Sequence, residues 1–164
     1  MPFTIRPLED ADIPAVVEFS LPAWAPVFAS FEQVLGPGIY ARIYPDWRPA
    51  QAEAVTRTCR EWSDTTWVAV ENGHPIGFVA VVHHDTAHPE PNSAEIEMIA
   101  VDPAFQRRGI ATALMTVALD HMQAAGAVLA SVSTGGDPGH EPARRAYERA
   151  GFTALPLVRY YKTL

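Results

Sequence analysis

The amino-acid sequence predicts an α/β fold, in the mixed sense often called α+β. Apolar residues alternate along residues 66–71 and 94–101, as they do in half-buried strands. Asn72-Gly73 follows the first of these runs and is a strong hairpin signal, so the run from Pro75 to His83 is expected to return beside it. After Arg107, apolar residues recur three and four positions apart, which is typical of an amphipathic helix. The 164 residues are enough for one domain, 1–164, with a sizeable core.

The N-terminal part is predicted to contain one strand followed by helices. Phe3–Arg6 alternates and predicts the first strand, and Asp10 or Asp12 is expected to cap the next helix. Residues 21–62 are rich in proline and aromatic residues and are interrupted by Gly36-Pro37-Gly38. This pattern predicts two or three short helices, at about 23–35, 38–44 and 48–62.

The C-terminal part is predicted to alternate between helix and strand. The helix that begins at Arg107 is expected to end near Ala125, because Gly126 is a good residue for the position after a helix. The remaining predicted elements are a strand at 127–133, a loop at 134–139, a helix between Pro142 and Gly151, and a closing strand at Leu157–Lys162.

Composition and charge limit the classes of function. The net charge of −7 argues against general nucleic-acid affinity. Residues 1–103 carry 15 acidic and 5 basic side chains, whereas residues 104–164 carry 4 and 7, so the C-terminal part suits an anionic ligand. Cys59 is the single cysteine and excludes an intrachain disulfide. With no signal-peptide pattern and no apolar run near 20 residues, these features predict a cytoplasmic protein without a membrane partner.

One segment contains several side chains of the type that bind metals. His83-His84-Asp85 and His88 lie within six residues, but Pro89-Glu90-Pro91-Asn92 follows them and is typical of a turn. The pattern predicts a surface loop and no metal site.

The turn between the strand at 94–101 and the following helix has the features of an anion site. Asp102-Pro103 starts the turn, and Arg107, Arg108 and Gly109 stand at the helix entrance. Free backbone N–H groups and the positive end of a helix dipole meet there. The arginines add full charges, and a glycine lets a phosphate approach the backbone. The segment lacks both the P-loop and the dinucleotide-binding pattern, so another polyphosphate is expected.

Two segments carry a resemblance to a known family. Gln106-Arg107-Arg108-Gly109-Ile110-Ala111 resembles the Q/R-x-x-G-x-G/A signature of the GCN5-related N-acetyltransferase (GNAT) superfamily, which holds the pyrophosphate of acetyl-coenzyme A. His140 to Phe152 resembles the N-x-x-A-x-x-x-Y-x-x-x-G-F segment of the same family. Tyr147 stands at the family's tyrosine, and His140 stands where the family most often has asparagine.

The resemblance implies a fold and a set of contacts with the acetyl-CoA cosubstrate. The implied fold is a mixed central sheet of about six to seven strands, mostly antiparallel, with a splayed central parallel pair and flanking helices. The pantetheine arm is expected to lie along residues 99–101 like an extra strand. The residues implied in binding acetyl-CoA are Ile99, Ala100, Val101, Gln106, Arg107, Arg108, Gly109, Ile110, Ala111, Thr112, His140 and Tyr147.

The resemblance also points to residues for proton transfer. Glu95 and Glu97 lie two residues apart on one predicted strand, and a carboxylate there is costly to bury without a partner or a function. Glu95 is favoured as general base because it precedes Gln106 by eleven residues, the spacing found in the histone-acetylating branch. Glu97 is the second candidate, and either can act through a water. Tyr147 is the candidate acid that protonates the leaving thiolate.

The sequence therefore predicts an acetyl-CoA-dependent N-acetyltransferase that transfers the acetyl group directly to a primary amine of a small molecule or peptide. The alternative is a non-catalytic acyl-CoA sensor of the same fold. A nucleic-acid-binding module built on the C-terminal arginines is disfavoured by the net charge. A homodimer is possible in the family, but no sequence feature requires one.

Overall fold

The computed structural model describes residues 2–164. Five strands and four helices of more than one turn follow one another, with short 3-10 turns at 10–12, 63–65, 103–105 and 138–140. In chain order they are β1 (Thr4–Pro7), α1 (Ile13–Ile43), α2 (Trp47–Glu61), β2 (Thr66–Glu71), β3 (His74–His83), β4 (Ser93–Val101), α3 (Ile110–Ala124), β5 (Leu129–Val132) and α4 (Glu141–Arg149).

The strands form one mixed sheet in the order β1-β2-β3-β4-β5. All neighbours are antiparallel except β4 and β5, which are parallel and are connected through α3. The parallel pairing joins Ser93–Ile96 to Leu129–Val132, and the rest of β4 extends beyond β5. The predicted mixed sheet with a splayed parallel pair is thus confirmed. The opening between β4 and β5 lies along the C-terminal half of β4, from residue 97 to residue 101.

The predicted number of strands was too high. Residues 153–164 form no strand in the part of the chain that the structure describes, so the predicted closing strand at Leu157–Lys162 was wrong. Leu157 and Val158 are 81% and 75% exposed. Strand propensity reflects how well a side chain fits a half-buried pleated surface, and this segment has no such surface over it.

Between β1 and β2 the predicted break at Gly36-Pro37-Gly38 is present, and the helix before it is longer than predicted. α1 kinks at Gly36, whose φ of 74° and ψ of 159° are not helical, so helical segments lie on both sides of this residue as predicted. The first segment, however, runs from Ile13 without a break and joins the helix expected after Asp12 to the one expected at 23–35. Pro22 and Pro26 lie inside the helix, where each removes a backbone hydrogen bond. Buried Phe19 and Phe28 on the same helix anchor it despite that loss. The third predicted helix, 48–62, corresponds to α2.

One helical stretch, Asp10–Ile43, is long and apolar enough to cross a membrane when judged by length and composition alone. The expectation that no apolar run approaches this length was therefore wrong. Core helices of soluble proteins pass the same test, and α1 packs Val16 and Phe19 into the protein core. That the chain has no membrane partner stays a prediction.

The core lies on both faces of the sheet. One cluster packs α1 and α2 against it and includes Cys59, whose thiol pKa is raised to about 11 by burial. The other packs α3 against the opposite face. There Gly77 lets the helix come close, because a Cβ at this position would lie 3.1 Å from the Ile110 side chain. This approach fixes the start of α3 against β3.

A partly buried ion pair joins β1 to the start of α1. Both terminal guanidinium nitrogens of Arg6 donate to the Asp12 carboxylate, at 2.7 and 2.9 Å, and the backbone N–H of Glu9 donates to it at 2.9 Å. Asp12 is 6% exposed. The hydrogen bond from Arg6 lowers the pKa of Asp12 below its ordinary value, although burial opposes the shift. The ionised form therefore contributes to stability.

We expect Asp12→Asn to lower the free energy of unfolding at pH 7 by about 2 kcal/mol, the typical value of a hydrogen bond to a charged group. Because the folded pKa is depressed, this contribution is present above pH 4 or so and is lost as the pH falls through the folded value. Urea unfolding at a series of pH values measures it. A difference between variant and parent that stays constant down to pH 2 or so would contradict the assignment.

Candidate functional site

A cleft of about 530 Å³ opens where β4 and β5 diverge. Its walls come from the outer half of β4, the end of β5, the loop after it, the first turns of α3 and α4, and the N-terminal half of α1. Ile99, Ala100 and Val101 line it along β4, and Trp24 of α1 and Gln51 of α2 line the opposite side. Because β5 pairs with β4 only as far as Ile96, the outward backbone groups of residues 97–101 face this cleft rather than a neighbouring strand.

The pairing of β3 with β4 shifts inside the cleft. Ala80 pairs with Met98 and Val81 pairs with Ile96, so Glu97 has no partner residue on β3. A residue skipped in this way is a β-bulge, which bends the strand and redirects a side chain. Glu97 lines the cleft and is exposed.

The turn between β4 and α3 closes one end of the cleft. Asp102 accepts a hydrogen bond from the N–H of Ala104 at 2.9 Å, and Gln106 donates from its amide to the carbonyl of Val101 at 3.1 Å. Arg107 and Gly109 are both left-handed, with φ of 61° and 80°. Successive N–H groups in such a conformation converge into an anion-binding concavity. The left-handed pair also delays the helix, which begins at Ile110 rather than at the predicted Arg107.

The residues predicted to bind the cofactor divide into those that line the cleft and those beside it. Those that line it are Ile99, Ala100, Val101, Gln106, Ala111, His140 and Tyr147. Arg107, Arg108, Gly109 and Thr112 are exposed around the turn. The side chain of Ile110 is 1% exposed and packs in the core, so it can offer a ligand its backbone N–H but not its side chain.

Arg108 is held by neighbours outside the cleft. Its guanidinium donates to the Glu71 carboxylate at 2.6 Å and lies 5.3 Å from the centroid of the Phe105 ring. The hydrogen bond to Arg108 lowers the pKa of Glu71. The ion pair with Glu71 therefore holds the Arg108 guanidinium beside the turn.

The two candidate carboxylates on β4 have different surroundings. Glu95 accepts a hydrogen bond from the Ser133 hydroxyl at 3.3 Å, and one of its oxygens lies 3.4 Å from Nε2 of His84. Glu95 does not line the cleft, whereas Glu97 does. The structure therefore places Glu97 where a ligand can reach it and gives Glu95 protein partners.

Tyr147 stands on α4 and faces the cleft. Its ring packs edge-on against Phe152, with 6.1 Å between centroids. Burial raises the pKa of the Tyr147 hydroxyl above its ordinary value of 10. The phenol consequently stays protonated at neutral pH and can donate a hydrogen bond or a proton.

Sequence reasoning missed the contacts that connect α1 to the loop after β5. Asp137 accepts a hydrogen bond from the Ser30 hydroxyl at 2.6 Å and contacts Nδ1 of His140 at 2.5 Å. Ser30 and Asp137 are 107 positions apart in the chain. The one local signal was Asp137-Pro138-Gly139, which indicates a turn but not its partner.

Within residues 2–164, no group of three or more His, Cys, Asp or Glu side chains is arranged to hold a metal ion. The histidines of the 83–88 segment have other contacts. The His84 and His88 rings stack with 3.8 Å between centroids, and Nε2 of His83 lies 3.1 Å from Nε2 of His121.

Several known proteins are similar to this chain. A mycothiol acetyltransferase of Thermomonospora curvata is 31% identical over 109 residues, which is 65% of this chain and 34% of that protein. The N-alpha-acetyltransferase 30 of Schizosaccharomyces pombe is 33% identical over 102 residues, covering 62% of this chain and 66% of that one. The chain thus spans about a third of the bacterial relative and two thirds of the yeast one.

The fold has solved counterparts. A PaiA N-acetyltransferase of Thermoplasma acidophilum, solved in complex with coenzyme A, matches with a TM-score of 0.69 at 16% identity, over 93% of this chain and 91% of that one. The acetyltransferase (GNAT) family model matches residues 36–152, a range that runs from the end of α1 through the β4–β5 opening and the left-handed turn to α4. With most of the cleft inside that match, the chain belongs to the acetyltransferase (GNAT) family.

Proposed function

We propose that this protein is an acetyl-CoA-dependent N-acetyltransferase that acylates a primary amine directly in a ternary complex. The observation that carries the proposal is a single cleft that runs along the open edge of β4, ends beside the left-handed turn before α3 and is lined by Glu97 and Tyr147. An extended thioester carrier with an anionic end has the shape and charge that this cleft complements.

The fit to acetyl-CoA rests on backbone geometry. The arm of the carrier can add to the free edge of β4 at 99–101 as an extra strand would, and its amides meet peptide groups there. The pyrophosphate meets the N–H groups of the turn at 107–111, with Arg107 and Arg108 nearby. Similarity to enzymes named acetyltransferases supports the same assignment.

The chemistry requires a neutral amine, a donor for the developing oxyanion and a proton for the leaving thiolate. We assign removal of the first amine proton to Glu97, directly or through a water, because this carboxylate lines the cleft. Glu95 remains the second candidate. Backbone N–H groups at 99–101 are assigned to the thioester carbonyl, and Tyr147 to the thiolate. Cys59 is buried in the core, so no acyl-cysteine step is proposed.

The acceptor is proposed to be a primary amine on a small molecule or a peptide. An ammonium group would be attracted by the carboxylate of Glu97, which lines the cleft, and by the net acidic charge of residues 1–103. We propose a cytoplasmic location. A homodimer stays possible.

The test is isothermal calorimetry with acetyl-CoA, followed by a thiol-release assay with a library of primary amines. We expect saturable binding and, with a suitable amine, release of free coenzyme A thiol.

Arg108→Ala is expected to weaken acetyl-CoA binding severalfold, because it removes one cation beside the turn. Glu71→Ala is the matched control, since it breaks the same ion pair and leaves the cation in place.

Two results would contradict the proposal in different ways. No heat of binding with acetyl-CoA or longer acyl-CoA esters would refute the cofactor site itself. Binding without thiol release from any amine would favour the acyl-CoA sensor. If Glu71→Ala weakens binding as much as Arg108→Ala does, the ion pair rather than the arginine charge supports the site.

A further inference from the structure

The carboxylate of Asp137 contacts three groups, one on α1 and two in the loop between β5 and α4. One oxygen accepts hydrogen bonds from the Ser30 hydroxyl at 2.6 Å and from the N–H of Gly139 at 3.1 Å, and the other contacts Nδ1 of His140 at 2.5 Å. The Asp137 side chain is 8% exposed. Ser30 lies on α1, and the other groups belong to the loop between β5 and α4. The carboxylate is therefore a fixed acceptor next to Gly139 and His140, which line the cleft.

The surroundings leave little freedom for this arrangement. The Ser30 hydroxyl, which donates to Asp137, also accepts from the N–H of Gly139 at 2.9 Å, and this N–H is shared between Ser30 and Asp137. A Cβ on Gly139 would lie 2.6 Å from the Cβ of Ser30. Arg144 donates to the carbonyls of Gly135 and Asp137 at 2.6 and 2.7 Å. The backbone of the loop is consequently held against α1 from both sides.

The contact with Asp137 determines which ring nitrogen of His140 carries the hydrogen. Burial alone would raise the pKa of Asp137, but hydrogen bonds from Ser30 and His140 lower it below its ordinary value. An ionised carboxylate can only accept hydrogen bonds, so Nδ1 must donate. In the neutral ring Nε2 then carries a lone pair.

The second ring nitrogen of His140, Nε2, is accessible. His140 lines the cleft, and its ring packs at 5.5 Å from the ring of Phe31. Within residues 2–164, Nε2 of His140 has no hydrogen-bond partner, and this atom is not buried. Nε2 is therefore open to solvent or to a ligand in the cleft, while Nδ1 is fixed.

The proposed reaction needs a second proton acceptor. A primary ammonium loses two protons on its way to an amide: the first when it becomes a neutral amine, the second as the C–N bond forms and the C–S bond breaks. One strand carboxylate can take the first. A general base for the second must lie in the same cleft and be unprotonated at the working pH.

We propose that Asp137 is a positioning residue that holds His140 as the second proton acceptor of this cleft. The inference rests on the proposed acetyl transfer. An N–H bond of the attacking nitrogen breaks, an Nε2–H bond forms on His140, and the Asp137 carboxylate offsets the imidazolium charge. The departing thiolate takes its proton from Tyr147. The proton on His140 then passes through water to the Tyr147 phenolate. One proton per turnover reaches solvent from the strand carboxylate.

The test is Asp137→Asn, which keeps an oxygen for Ser30 and Gly139 but turns the group that faces Nδ1 into a donor. The ring must then carry its hydrogen on Nε2, so Nε2 can no longer accept a proton in the cleft. We expect kcat to fall about 100-fold, as for loss of a general base, while KM for acetyl-CoA changes less than about twofold. Asp85→Asn is the matched control, because it neutralises a carboxylate that caps the N–H of Ala87 outside the cleft.

A second measurement separates this role from a purely structural one. Nitrogen-15 NMR of the histidine rings reports the tautomer without any turnover. We expect hydrogen on Nδ1 of His140 in the parent and on Nε2 in Asp137→Asn. If Asp137→Asn does not fold, His140→Gln, which removes the acceptor from the less buried partner, is expected to give the same loss of kcat.

The inference is overturned if the tautomer changes and kcat does not, or if the parent carries the hydrogen on Nε2. It is also overturned if kcat and KM for acetyl-CoA worsen together. The NMR result can overturn the inference even when no amine acceptor is known. A parent that binds no acetyl-CoA would refute the proposed function instead, which is a separate outcome.

Discussion

Glu97→Gln is expected to lower kcat by at least 100-fold or so at neutral pH, the loss typical of removing a general base. The side chain lies at the bulge in β4, lines the cleft and has no partner residue on β3. Glutamine has nearly the same shape but cannot take a proton from an ammonium group. We expect KM for acetyl-CoA to change little, because the substitution leaves the β4 backbone in place. Steady-state kinetics with both substrates varied measures the two effects.

Glu95→Gln is the control for this result, because it makes the same chemical change two residues away. We expect a loss of less than about tenfold, since Glu95 accepts a hydrogen bond from Ser133 and lies beside His84 rather than lining the cleft. A larger loss in Glu95→Gln than in Glu97→Gln would reverse the assignment. The base would then be the residue that the spacing to Gln106 favours.

The sequence was most informative where a local pattern determines the structure. The hairpin at Asn72-Gly73 is present, with both residues left-handed, because the turn needs positive φ at each position. Gly126 ends α3 in the same conformation, at φ 89°. The exposed turn before α3 was also predictable, since a glycine and two arginines precede an amphipathic helix there. Its role as an anion site stays a prediction.

Features that depend on tertiary contacts were not predictable. The bulge at Glu97 depends on the register between β3 and β4, which the alternation along one strand does not reveal. The Ser30–Asp137 hydrogen bond joins residues far apart in the chain. At Leu157–Lys162 the pattern predicted a strand, but a strand also needs a partner edge, which this segment does not have in the fold.

Tyr147→Phe is expected to reduce kcat about 100-fold while the affinity for acetyl-CoA stays within about twofold. The phenyl ring keeps the packing against Phe152, so the variant removes the hydroxyl and little else. Because burial raises the pKa of Tyr147, the parent enzyme keeps its proton throughout the neutral range, and the loss should be constant between pH 6 and pH 9 or so. Phe152→Leu is the control, since it loosens the packing and leaves the hydroxyl in place. Full turnover of Tyr147→Phe at every pH tested would show that the thiolate leaves without this donor.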